Sequence, residues 1–181
     1  MSIGEDIKNA VVGAVEGAGE AGSAVIEAVS KVASSALEGV KDVGEEVISV
    51  PAELIKSAVK GLSEAGKASA EAIGNVVTGI AGAIEKSTVS TAKDITDMAQ
   101  QGIKSAQEVG SDIGETAVSI VKGSINGVKE AGGDTASALE SAVTGVLHGA
   151  KELSTEAVDA VAQALEGAVD GSKEVIGRVL K

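Results

Sequence analysis

Gly123-Ser124-Ile125-Asn126-Gly127-Val128-Lys129-Glu130-Ala131-Gly132-Gly133-Asp134 is the stretch from which the fold is read. Gly123 and Gly127 lie about one helical turn apart, with Ile125 and Val128 as apolar partners and Lys129-Glu130 as a charged pair. The close, Gly132-Gly133-Asp134, reads as a helix stop followed by an N-cap. Eleven-residue steps upstream from Ile125 meet Gly114, Ile103, Ala92, Ala81, Ala70 and Val59, then Ile48, Leu37, Ile26 and Val15. The same step downstream meets Ala136, Leu147, Val158, Val169 and Leu180. Every position in the series is small or apolar, and neighbouring series add Ile73, Ile84, Ile95 and Ile113 to the stripe. A parallel series through Asn9, Glu20, Lys31, Asp42, Glu53 and Glu64 to Glu174 is polar. Eleven residues make three helical turns, so one amphipathic surface repeats along the chain, with the period of a right-handed supercoil. The expected class is all-α.

Glycine placement doubles the period to twenty-two. Gly17, Gly39, Gly61, Gly127, Gly149 and Gly171 occupy one column, and a second holds Gly13, Gly79, Gly123, Gly145 and Gly167, with Ser35 and Ser57 filling two gaps. A third column holds Gly22, Gly44, Gly66, Gly110 and Gly132, alternating with the larger Val11, Ala33, Ile55, Val77, Ala99, Val121, Val143 and Leu165. The apolar arc approaches half the helix circumference, wider than a two-stranded coiled-coil seam. The first two glycine columns border it on one side only, so the helix has a bulky flank and a bare one.

Each glycine inside a helix costs about 0.5–1 kcal/mol relative to alanine. For 24 glycines that is on the order of 10–20 kcal/mol, comparable with the whole stability of a domain. Close backbone approach between helices, through small-xxx-small pairs such as Gly13/Gly17, Gly123/Gly127, Gly145/Gly149 and Gly167/Gly171, is the expected compensation. The alternative is a helix that glycine keeps loose, so that it forms only on a surface.

The organisation reads as a single repetitive helical region, 1–181, with kinks or turns near 49–51, 87–91 and 132–134. Pro51 forces a kink or a helix start. Ser87-Thr88-Val89-Ser90-Thr91 interrupts the apolar arc, and Thr91 to Asp94 has capping-box spacing. The eleven-residue register crosses all three places undisturbed, whereas loops usually reset phase. The expectation is therefore long helices with few turns, packed side by side in a bundle or helical assembly.

Composition narrows the partners. The chain has no Phe, Trp, Tyr or Cys, so its interior is aliphatic and it has no disulfide or thiolate chemistry. Hydrophobic residues make up 44 % and the mean hydropathy is +0.24, too apolar for a disordered chain. A formal net charge of −12, with no basic block and no stacking aromatics, excludes nucleic acid as an expected partner. No signal peptide or spanning helix is visible, so the expected compartment is the cytoplasm, with extracellular assembly after export by another route as the alternative.

Chemical constellations are sparse. Gly17-Ala18-Gly19-Glu20-Ala21-Gly22 matches a dinucleotide fingerprint in letters, but that motif works only between a strand and a helix, and no strand precedes it. His148, the one histidine, falls in a polar column. Carboxylates at helical spacing, such as Asp42/Glu46 and Glu152/Glu156, read as a hydrated face rather than a calcium loop. No catalytic, cofactor or metal residues are assigned, and neither an enzymatic activity nor a small-molecule substrate is expected.

The units Glu38-Gly39-Val40-Lys41-Asp42, Asn126-Gly127-Val128-Lys129-Glu130 and Val76-Val77-Thr78-Gly79-Ile80-Ala81 resemble the eleven-residue repeats of the synucleins. The twenty-two-residue doubling is similar to that of exchangeable apolipoproteins, and group 3 late-embryogenesis-abundant proteins share the eleven-residue period. The resemblance implies a lipid-surface or desiccation protein whose helices form on binding or drying. Here, however, lysines do not flank the arc, the charge is acidic, and interfacial aromatics are missing. The leading expectation is a structural, self-assembling helical protein, a subunit of a filament, sheet or bundle whose partner is itself. An amphipathic coat on a lipid surface comes second, and a stress-protective or ice-binding helix third.

Overall fold

Local caps explain where the chain turns. At the end of the third helix, Gly66 adopts φ +71°, and the amides of Gly66 and Lys67 donate back to the carbonyls of Ser63 and Leu62, closing the helix end. The hydroxyl of Ser69 then accepts from the amide of Ala72 at 3.1 Å and opens the next helix. The same two-part device recurs at Gly110 and Asp112, whose carboxylate accepts from Glu115, and at Gly132 and Asp134, which accepts from Ala136 and Ser137. Glycine holds a φ of +71 to +82° without strain, so it stands at these reversals and again at Gly171. Ser154 serves both the end of one helix and the start of the next, in an extended conformation, and its hydroxyl accepts from Ala157.

The computed structural model describes residues 3–18, 22–41, 49–87 and 91–181. Among them are nine helices: α1 (Ile3–Ala18), α2 (Gly22–Lys41), α3 (Val50–Glu64), α4 (Ala70–Lys86), α5 (Thr91–Glu108), α6 (Ile113–Glu130), α7 (Thr135–Leu153), α8 (Thr155–Ala168) and α9 (Ser172–Val179). Packing is most extensive between helices two apart in the chain. α1, α3, α5, α7 and α9 form one layer, and α2, α4, α6 and α8 form the other. Contacts advance together along both partners, as in Gly22 with Asn75 and Ile26 with Gly79, or Thr96 with Gly145 and Gln100 with Gly149. Helices within a layer therefore run parallel, and successive helices cross between layers and reverse. The Ser111 hydroxyl donates to the Ala68 carbonyl at 2.7 Å, joining two turns at the same end of the array.

One aliphatic core lies between the layers, built on fully buried Ile7, Leu54, Ile55, Leu62, Ile73 and Ile80, with Met98 and Leu147. Of the apolar stripe, Val15, Leu37, Ile73, Ile84, Ile95 and Ile103 are buried, as are Leu147 and Val169. Ile26, Ile113, Ile125 and Val158 are half-buried, and Leu180 is 39 % exposed. Ile48 lies outside the described residues.

The architecture corrects one expectation. Helices side by side are present, but the chain breaks far more often than expected, including at 65–69, 109–112, 154 and 169–171. Gly66 and Gly110 lie 44 residues apart, and Gly110 and Gly132 lie 22 apart. From Gly66 to Gly132 a helix plus its turn therefore consumes a constant count, and phase passes through those turns unchanged, whereas the turn at Gly171 comes 39 residues after Gly132. Of the expected breaks, Pro51 stands in the first turn of α3, where its missing amide is harmless. Near 87–91, α4 ends at Lys86 and α5 begins at Thr91, with 88–90 outside the described residues.

Candidate functional site

The glycine columns separate into three groups according to what surrounds them. In the first, glycine receives the backbone of the helix two before it. A Cβ on Gly123 of α6 would lie 2.5 Å from the Gly74 carbonyl oxygen of α4, and one on Gly127 would run into the Thr78 carbonyl. On α7, a Cβ at Gly145 would strike the Thr96 carbonyl of α5, and one at Gly149 would lie 2.6 Å from the Gln100 oxygen. Gly79 of α4 stands in the same way 2.8 Å from the Ile26 oxygen, and Gly61 of α3 3.0 Å from the Lys8 oxygen. Real Cβ atoms are excluded at the shorter of these distances, and a rigid helix backbone cannot turn aside as a side chain can. Each of these glycines is a seat, in which the attraction is that of close-packed backbone surfaces. Gly22 is a looser case, facing only the Asn75 side chain.

In the second group are Gly66, Gly110, Gly132 and Gly171, all at positive φ in turns. Expected as notches, they instead reverse the chain, because a left-handed backbone is the stronger demand on glycine. In the third group, Gly13, Gly17, Gly39 and Gly167 have no atom of the described residues within 4 Å of where a Cβ would stand. Gly44 lies outside the described residues.

The open glycines of α1 and α2 have a simple geometric cause. In α1, Gly4 and Lys8 face α3, and Gly17 follows Lys8 by nine residues, two and a half turns, which places it on the opposite flank. In α2, Ile26 and Ser30 meet Gly79 of α4, and Ser35 and Gly39 follow by the same nine residues. Each helix is thus two-sided, offering backbone on one flank and a seat on the other. Among the described residues nothing lies across from the seats of α1 and α2, and Gly167 of α8 is open as well although α6 packs against α8.

Polar contacts fasten the flanks, and spacing alone does not reveal them. Lys104 of α5 pairs with Glu152 of α7 at 2.8 Å, and the Gln100 amide donates to the same carboxylate. The Lys104 hydrogen bond, supported by Gln100, holds the Glu152 carboxyl below the usual carboxylate range. Lys8 of α1 pairs with Glu64 of α3 at 3.4 Å, and Arg178 with Glu140 of α7 at 3.5 Å. Gly74 and Gly82 fall outside the three columns and are missed by them as well. They stand on the flank of α4 that meets α6, where a Cβ on Gly74 would lie 3.0 Å from Ser119 Cβ. Their eight-residue spacing is the signal that could have found them.

The α3–α5 contact departs from the rule. The α5 positions equivalent to Gly145 and Gly149 carry Gln101 and Ser105. A cleft of about 400 Å³ opens there, lined by Lys56, Val59, Lys60 and Ser63 of α3 and by Ser105 and Glu108 of α5. Among the described residues no group of three or more potential metal ligands converges, and no helix is long and apolar enough to cross a membrane. His148 is exposed.

No protein-family model matches this chain, and no curated protein matches it.

Proposed function

We propose that this chain is a non-enzymatic structural protein that associates with copies of itself through the edge formed by α1 and α2. The supporting observation is the open space, among the described residues, at Gly13, Gly17 and Gly39, in columns whose members Gly61, Gly79, Gly123, Gly127, Gly145 and Gly149 receive a neighbouring helix, although Gly167 does not. Glycine in a helix that contacts nothing costs stability and returns nothing to an isolated molecule. Placed in a column whose other members seat a backbone, it is accounted for by a further helix arriving from outside. The twenty-two-residue repeat favours the same function, since repeat arrays grow by adding like units through like contacts. The lipid-coat and stress-protective functions draw on the apolar arc, much of which among the described residues is covered between the layers, so self-association is favoured here.

Sedimentation across a concentration series, with negative-stain imaging of the same samples, tests the proposal. Oligomers that grow with concentration are expected. A monomer at every concentration overturns it.

A further inference from the structure

Gly127 is among the tightest seats of the array, since a Cβ there would run into the Thr78 carbonyl and stand 2.8 Å from the Gly82 nitrogen. It also has a neighbour that no other filled seat has. The residues preceding Gly61, Gly79, Gly123, Gly145 and Gly149 are Lys60, Thr78, Lys122, Thr144 and His148, whereas Asn126 precedes Gly127. Asn126-Gly127 is the one asparagine–glycine pair in the chain, Asn9 and Asn75 being followed by Ala10 and Val76. The side-chain amide of an asparagine can be attacked by the next backbone nitrogen, and glycine, having no Cβ, leaves that nitrogen unhindered. The bareness that admits the Thr78 carbonyl therefore opens the chain to this reaction whenever α6 is unfolded. In the folded array the reaction is blocked, although Asn126 is exposed. Both residues lie inside α6, where the Gly127 amide is committed to the carbonyl four residues earlier and helical dihedrals hold its nitrogen away from Asn126 Cγ. Rotating that peptide would drive it against Thr78 and Gly82, so the reactive geometry requires α6 to leave α4.

We infer that Asn126-Gly127 is a fold-gated modification site, intact while α6 is seated on α4 and converted in the unfolded chain, with water as co-reactant, into a backbone that cannot be seated again. The Gly127 nitrogen gives its proton to solvent and attacks Asn126 Cγ, and the Cγ–Nδ2 bond breaks as the amide takes up a proton and leaves as ammonia. Water opens the resulting five-membered imide at either carbonyl. Cleavage of the bond from Cγ to nitrogen gives aspartate in an ordinary chain. Cleavage of the bond from the main-chain carbonyl to nitrogen routes the chain through Cβ and Cγ, as isoaspartate, one carbon longer. That carbon enters one residue before the seat, so Gly127 and the residues after it lose register with Thr78 and Gly82. Prolonged unfolding thereby becomes irreversible at a single peptide.

The full-length protein would be incubated at mildly alkaline pH, in buffer or in guanidinium chloride, and sampled with time. Trypsin, cutting after Lys122 and Lys129, releases the peptide 123–129, whose amide, aspartyl and isoaspartyl forms separate by chromatography. Conversion is expected to be more than about a hundredfold slower in buffer, because a packed helix opens rarely. Once denaturant is removed, the isoaspartyl chains are expected to stay unfolded or to melt well below the rest. Asn126→Asp, which carries the same charge on an ordinary backbone, is expected to melt within about 2 °C of the unmodified protein. Equal conversion in the two incubations overturns the gate. Isoaspartyl chains that regain the native melting temperature overturn the block at the seat, and so does an Asn126→Asp protein that fails to refold, since charge would then be its cause. Asn126→Gln, treated alike, is expected to keep its refolding yield, and a loss as fast as that of the unmodified protein overturns the site by placing the damage elsewhere.

Discussion

The α4–α6 and α3–α5 contacts occupy equivalent places in the array and differ on both partners, Gly123 and Gly127 of α6 standing where α5 has Gln101 and Ser105, and Thr78 and Gly82 of α4 where α3 has Lys56 and Lys60. Where α6 carries Gly123 and Gly127, the backbones of α4 and α6 touch. Where α5 carries Gln101 and Ser105, a cleft of about 400 Å³ remains, and the Gln101 amide turns to the Ser105 hydroxyl at 3.1 Å. Residue size on both facing flanks thus sets how close two helices come, while the apolar arc sets only that they pack. Glycine is costly to the helix it sits in and useful to the pair it joins.

Enlarging a filled seat should break the comparison most strongly. Gly127→Ala puts a methyl against the Thr78 carbonyl, which cannot move without parting α4 from α6, and a loss of about 3 kcal/mol is expected in chemical unfolding. An unchanged midpoint would mean that the helices separate at no cost. The empty seats should respond with the opposite sign. Gly13→Ala and Gly39→Ala meet nothing, so each is expected to stabilise the monomer by about 0.5–1 kcal/mol through helix propensity. Losses there, measured at a concentration where the protein is monomeric, would mean that those positions are already occupied.

At the cleft, Ser105→Ala trades an accepted hydrogen bond for helix propensity and should leave stability within about 0.5 kcal/mol, in thermal melts run beside Gly127→Ala. The smallest effect concerns pH. The folded-state pKa of Glu152 is depressed, so its contribution to α5–α7 packing is present above the ordinary glutamate range and disappears as pH falls through the lowered value. The carboxylate is 45 % exposed, so screening keeps that contribution small. Glu152→Gln is expected to remove this part of the acid dependence of the melting temperature and to leave the curve near neutrality almost unchanged.

Much of the seat chemistry is legible in the sequence. Gly123, Gly127, Gly145 and Gly149 stand out as close-approach positions from spacing alone, because a small residue bordering an apolar arc leaves room for a neighbouring backbone. Gly66, Gly110 and Gly132 mislead. Their columns keep phase, and a constant-length turn keeps phase as faithfully as a continuous helix does. The sign of a turn is nevertheless present in the cap that follows each, Ser69, Asp112 and Asp134, although only the last stands beside a glycine pair that announces it. The pairing of Lys104 and Gln100 with Glu152 is not legible at all, since it joins helices whose adjacency depends on topology.

What the linear pattern determined by itself is the amphipathic α-helix, its aliphatic filling, and a bare flank beside a bulky one, because these follow from residue size and hydropathy at helical spacing. Only the tertiary structure decided which glycines reverse the chain, which receive a backbone and which stand empty. That outcome depends on whether another helix lies across the gap, and the identity of a neighbour two helices away is a property of the folded array.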